Sequence, residues 1–120
     1  MGCRWVHALN MQAQTPDNAI LVLTNLPSIE SAEKLARLLV TDKLAACVNI
    51  LAPCTSVYEW QGKLEKSVEI PLLIKSKQTK YALLEAAIVK HHPYELPEII
   101  SVPVDKGLPA YLNWLNEHLN

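Results

Sequence analysis

The chain has 120 residues, of which 50% are hydrophobic and 19% charged, and its net charge is −1. This length points to one domain with a real core, and the composition excludes a disordered protein. Interspersed acids and bases leave no basic footprint for nucleic acid and no acidic tail, and apolar runs such as Ala19–Leu23 fall far short of the ~20 residues needed to span a membrane.

Residues 1–17 lack the apolar stretch of a signal peptide, and Val6 stands where a myristoylation signal needs Ser or Thr. They are expected to form a poorly ordered extension, with Met11 as an alternative start, and residues 18–120 a single domain. Ala19–Leu26 is short, apolar and closed by Pro27, which predicts a strand. Ser28 suits a helix N-cap. Ile29, Ala32, Leu35, Ala36 and Leu39 then recur at helical spacing up to about Lys43, while Glu30, Glu33, Lys34 and Arg37 fall mainly on other faces. Ala46–Leu51 is expected as strand, Pro53 interrupts it and Thr55–Trp60 resumes it. Gln61-Gly62-Lys63 is a turn signal, and Val68–Ser76 is the next strand. Thr79–His91 is expected as a helix with Leu83, Ala86, Ala87 and Lys90 patterned along it. Glu98–Val104 is a strand, Asp105-Lys106-Gly107 a turn, and Leu108, Tyr111, Leu112, Leu115 and Leu119 the stripe of a last helix.

The order β-α-β-β-α-β plus a helix is that of an α+β, ferredoxin-like split βαβ domain with an antiparallel sheet. Its two helices cover one face of the sheet. Apolar residues on both sides of Leu72-Leu73-Ile74 require cover on the other face as well, which predicts oligomerisation. Pro71 falls on a strand that is central in this motif, so it is expected at a bulge or ahead of the pairing.

The segment His91-His92-Pro93-Tyr94-Glu95-Leu96-Pro97-Glu98 is not explained by core formation. Its prolines stiffen the chain and display imidazole, phenol and carboxylate groups. Together with Ala45-Ala46-Cys47-Val48-Asn49-Ile50, Ser56-Val57-Tyr58-Glu59-Trp60-Gln61-Gly62, Glu69, Ile74-Lys75 and Tyr111-Leu112-Asn113-Trp114-Leu115, it resembles the CutA family of divalent-cation tolerance proteins over about residues 18–119. The resemblance implies a ferredoxin-like subunit, a homotrimer with strands paired between subunits, a cytoplasmic location, and a role in tolerance of copper and other divalent metals. It is similar in architecture to trimeric PII-type signalling proteins, which implies ligand sensing in clefts between subunits.

Two positions depart from that pattern. Some family members carry a cysteine, in a proposed copper site with the histidine pair, where this chain has Thr24. A neutral hydroxyl is a poor ligand for soft Cu(I). The family usually has glycine after the proline at Pro53, where this chain has Cys54.

Each candidate carries a functional and a structural alternative. His91 and His92 are metal ligands by type; His91 also suits a helix C-terminus, and His92 a hydrogen-bonded anchor of the proline loop. Consecutive side chains diverge, so a neighbouring subunit would have to complete a site. Glu95 and Glu98 are acids, bases or hard-metal ligands, or loop-capping groups. Glu69 and Lys75 share a strand face, as partners or ligand contacts, or at a solvated sheet end. Tyr58, Trp60 and Tyr94 are cleft-lining or packing aromatics. Cys47 is expected as an inert buried thiol. Cys3, Cys47 and Cys54 are odd in number with no CxxC spacing, as in a reduced cytosolic protein.

No HExxH, P-loop, nucleophile elbow or Rossmann fingerprint is present. The expectation is a non-enzymatic, homotrimeric metal-response protein, with a divalent ion, copper by family resemblance, as cofactor. The alternative is a regulatory module taking a small ligand or partner protein in its clefts. A third possibility is an enzyme using Glu69, Lys75, His92 or Glu95. No nucleic acid or membrane partner is expected.

Overall fold

Burial alternates along the first strand, β1 (Ala19–Leu26), in the computed structural model, which describes residues 17–120. Ile20, Val22, Thr24 and Leu26 are buried on one face, and Leu21, Leu23 and Asn25 are half-buried on the other. Of the expected N-terminal extension, residues 1–16 lie outside the described residues.

Helix α1 (Ile29–Thr41) starts at Ser28, whose side-chain oxygen accepts the Ser31 N–H at 3.1 Å. That contact satisfies one of the donors a helix N-terminus leaves free. Ala32, Leu35, Ala36 and Leu39 form the buried stripe, as their spacing predicts; Ile29, in the first turn, stays 44% exposed. Lys43, at φ 58°, turns the chain, and the Leu44 N–H reaches the Leu39 carbonyl at 2.9 Å. This is the left-handed ending typical of helices.

The remaining strands are β2 (Cys47–Ile50), β3 (Cys54–Trp60), β4 (Lys63–Lys77) and β5 (Ile100–Pro103). They join β1 in one antiparallel sheet of order β2-β4-β1-β5, with β3 paired to the outer part of β4. Because β4 is antiparallel to both β1 and β2, those two run parallel with β4 between them. That is the split βαβ arrangement. At 15 residues β4 is much longer than the expected Val68–Ser76. Its second half pairs with β1 and β2, and its first half pairs with β3 in a two-stranded arm. Trp60 pairs with Lys63, leaving a two-residue turn with φ 52° at Gln61 and 81° at Gly62. Both values are those of a type I′ hairpin turn, which matches the strand twist.

Pro71 lies inside the ladder and pairs with Asn25 of β1 without a register slip. Its carbonyl accepts the Leu51 N–H at 2.9 Å, so its N–H-less nitrogen faces the same side, towards β2 and β3. There Ile50 pairs with Leu72 and Cys54 with Glu69, so three residues of one strand stand against two of β4. The proline therefore sits opposite an irregularity with one extra residue, where no ladder donor is needed. Cys54 follows this break. Positive φ among the described non-glycine residues occurs only at Lys43 and Gln61, so Cys54 does not require the glycine usual in the family.

A 3-10 turn (Gln78–Lys80) precedes α2 (Tyr81–His91). The buried face of α2 is Leu84 and Ile88, with Tyr81 and Ala87 packed beside them. The expected line through Leu83, Ala86 and Lys90 is instead exposed, Leu83 at 61%. Apolar residues surround this helix, so spacing alone does not fix its phase; packing against the sheet does. Helix α3 (Pro109–Glu117) begins with proline, whose missing N–H is harmless at the first position. Leu115 and Leu119 are buried, while Leu108 is 70% exposed. Lys77 is buried under the C-terminal segment, its Nζ donating to Asn116 Oδ1 at 3.0 Å and Asn120 Oδ1 at 2.8 Å.

The core lies between one sheet face and helices α1 and α2. Thr24 is buried there, and its hydroxyl has no hydrogen-bond partner. Thr24→Val keeps the shape and removes an unsatisfied polar atom. It is expected to raise the stability to denaturant by about 1–2 kcal/mol, read as a higher midpoint at unchanged slope.

Candidate functional site

Adjacent residues of a strand point to opposite faces. Beside Thr24 in the core, Asn25 therefore emerges on the other face, at the end of β1 where the arm departs. Its amide nitrogen donates to Glu98 Oε1 at 3.1 Å and, at a long 3.5 Å, to Glu69 Oε1. Glu69 is buried, and its other oxygen accepts from the Tyr94 hydroxyl at 2.8 Å. Burial, together with the Glu69 carboxyl, pushes the Tyr94 phenol far above the usual tyrosine range. Tyr94 is therefore a donor at any physiological pH.

His92 organises the loop behind this group. The Tyr94 N–H donates to its Nδ1 at 3.1 Å, and its Nε2 lies 2.7 Å from the Asn25 carbonyl. An accepting Nδ1 places the proton on Nε2, which donates to that carbonyl. Both ring nitrogens are thus engaged within the protomer. The ring packs against Tyr94 with centroids 4.7 Å apart. Burial lowers the His92 pKa, opposed by the Asn25 carbonyl and by Glu69. His91, one residue earlier, is exposed in the last turn of α2, so the two imidazoles diverge.

The lowered pKa has a definite sign in stability. Below about pH 6.5 the unfolded histidine gains a proton that the folded one resists, so acid favours unfolding. Between about pH 7.5 and pH 5 the melting temperature is expected to fall. His92→Gln should start lower, having lost packing, and show a shallower fall. Parallel slopes would remove His92 as the titrating group.

A cavity of about 800 Å³ opens between the arm and the proline loop. Tyr58, Trp60, Glu69, Tyr94, Glu95 and Glu98 all line it. Pairing explains the convergence: Ser56, Tyr58 and Trp60 alternate onto the face of the arm that carries Ser67 and Glu69. Tyr58 is held by a 2.8 Å hydrogen bond between its hydroxyl and Ser67. Lys75, the remaining cleft candidate, does not join them. It is six residues from Glu69, on the order of 20 Å along the strand, and its Nζ lies 5.8 Å from the centre of the Tyr111 ring. Cys47 is half-buried rather than enclosed. Asn25 is the residue that sequence reasoning missed. Its signal was a single amide on the otherwise apolar outer face of β1. Among the described residues, no group of three His, Cys, Asp or Glu side chains lies close enough to hold a metal ion.

Comparison with known proteins bears on this arrangement. The profile of the CutA1 divalent ion tolerance protein family matches residues 20–118. The chain is 46% identical over 102 residues to the divalent-cation tolerance protein CutA of Yersinia pestis (strain Pestoides F), covering 85% of this chain and 86% of that protein. It is similar to the crystal structure of CutA from Xylella fastidiosa, with TM-score 0.84 and 42% identity over 86% of this chain and 99% of that one. It is also similar to the structure described as the periplasmic divalent cation tolerance protein CutA of Archaeoglobus fulgidus, with TM-score 0.83 and 34% identity over 85% and 99%. A match that runs from β1 into the C-terminal segment, in sequence and in fold, takes in every strand and helix around the cavity: the chain belongs to the CutA1 divalent ion tolerance protein family.

Proposed function

We propose that this chain serves tolerance of divalent cations, copper among them, as a homotrimer that catalyses no reaction and carries a ligand site in the cavity at the root of each arm. The carrying observation is the cavity itself. Six of the side chains singled out from the sequence converge on it, and one wall is an arm paired to nothing but itself among the described residues. A two-stranded ribbon is marginal alone in water, so docking on a neighbour would supply its missing cover and put the cavity at a subunit boundary.

Metal binding fits this reading only with ligands drawn from more than one protomer, since one protomer brings no three ligand groups together among its described residues. Of the histidine pair, the available imidazole is the exposed His91; the carboxylates are those of Glu95 and Glu98. His92 acts by holding the loop. Calorimetric titration with Cu(II), Zn(II) and Ni(II) tests this. Binding by the parent that weakens in His91→Ala is expected, and no heat with any of the three ions overturns direct metal binding.

A second reading, a regulatory site for a small ligand, is favoured by size and lining. A volume near 800 Å³ far exceeds a hydrated ion and lies within the ~300–1,000 Å³ usual for small-molecule sites. A cytoplasmic location is proposed from the free Cys47 and Cys54. The relative described as periplasmic makes cell fractionation the direct check.

A further inference from the structure

We infer that the cavity recognises an organic ammonium group, that is, a small amine or polyamine rather than an anion. This rests on the reading of the cavity as the protein's ligand site and names the chemistry it would take. Three carboxyl side chains, Glu69, Glu95 and Glu98, line the space. No lysine or arginine among the described residues of the same protomer lines it to balance them. An anion entering would meet uncompensated like charge.

The remaining wall chemistry selects among cations. Tyr58, Trp60 and Tyr94 present aromatic rings to the same space, and ring faces attract ammonium groups through their quadrupole. A bare metal ion gains little from such rings and finds no set of three close ligands among the described residues. Acceptor capacity is also left over. Glu69 is only 8% exposed, yet its carboxylate meets only two protein donors, one of them at 3.5 Å. Glu98 meets one donor, Asn25. A carboxylate offers about four acceptor positions. The Asn25 amide already shows the pattern, since a single nitrogen donates towards both carboxylates. An ammonium carries three donors and a charge, so it satisfies the same oxygens more strongly. Its carbon chain would lie along Trp60 and Leu96, which also border the space.

The test is calorimetry on the full chain at physiological salt with putrescine, spermidine and arginine as probes. Succinate serves as the anionic control and Zn(II) alone as the metal control. At least one amine is expected to bind, with affinity reduced about tenfold or more in Glu98→Gln, since a charge-assisted hydrogen bond is lost. Glu98 is exposed, so this variant should fold. Glu65→Gln, on the same arm but outside the lining, should bind like the parent. Equal weakening in both variants would indicate diffuse attraction and overturn the assignment. So would succinate binding in preference to the amines, or no heat from any amine. Zn(II) binding without amine binding would overturn the ammonium assignment alone. Silence from every probe would overturn the ligand-site reading with it.

Discussion

Glutamate at both Val57 and Val68 is expected to convert a particle of about 40 kDa, the proposed trimer, into 13.4-kDa protomers on multi-angle light scattering. The reason lies in the arm. Thr55 pairs with Val68, Val57 with Lys66 and Glu59 with Leu64, which places Val57, Leu64 and Val68 on one face. That face continues the strand side on which Leu72 and Ile74 meet the helices, but the helices do not reach it. The three side chains are 63%, 80% and 65% exposed. Covering each contributes about 1.5–3 kcal/mol, so a contact made through them is worth several kcal/mol per subunit. Two carboxylates remove most of that gain and add the desolvation of unpaired charge. The arm is outside the core, so the variant protomer should keep its helical and sheet signal. A parent that runs as a protomer at micromolar concentration would overturn the trimer. An unchanged mass in the variant would show that this face is not the contact.

Ile74→Ala is expected to lower stability by about 2–5 kcal/mol, whereas Leu83→Ala should change it by less than about 0.5 kcal/mol. Ile74 is fully buried in the second half of β4, between Val22 of β1 and Val48 of β2. Truncation there removes transfer energy and leaves a cavity that three paired strands cannot collapse. Leu83 is the larger surprise from a sequence standpoint, since it stands first in the pattern read along this helix, yet it faces outward. Denaturant midpoints at one fixed protomer concentration measure both, because oligomerisation makes stability concentration-dependent. A comparable loss in the two variants would contradict the phase of α2.

Much of the fold was legible because its signals are local. Alternating burial on β1, the Ser28 cap, the α1 stripe and the Gln61-Gly62 turn each follow from side-chain period or backbone sterics within a few residues. The phase of α2 was not legible, because a helix with apolar residues around it has several possible buried faces and only the sheet selects one. Nor was the length of β4, whose outer half is polar enough to pass for a loop and becomes strand by pairing with β3.

The site divides the same way. Residue type marked the side chains able to donate, accept or ionise, the aromatic and acidic residues of Tyr58–Trp60, Glu69 and Tyr94–Glu98, and the family they identify. Their arrangement came from packing and strand pairing. Tertiary structure brought six of them to one cavity and left Lys75 about 20 Å along the strand from Glu69. It turned His92 inward with both nitrogens engaged while His91 faces solvent. It also made Asn25, inconspicuous in a strand, the donor shared by Glu69 and Glu98. Residue type fixes what a group can donate, accept or ionise, whereas register and burial fix which partners reach it.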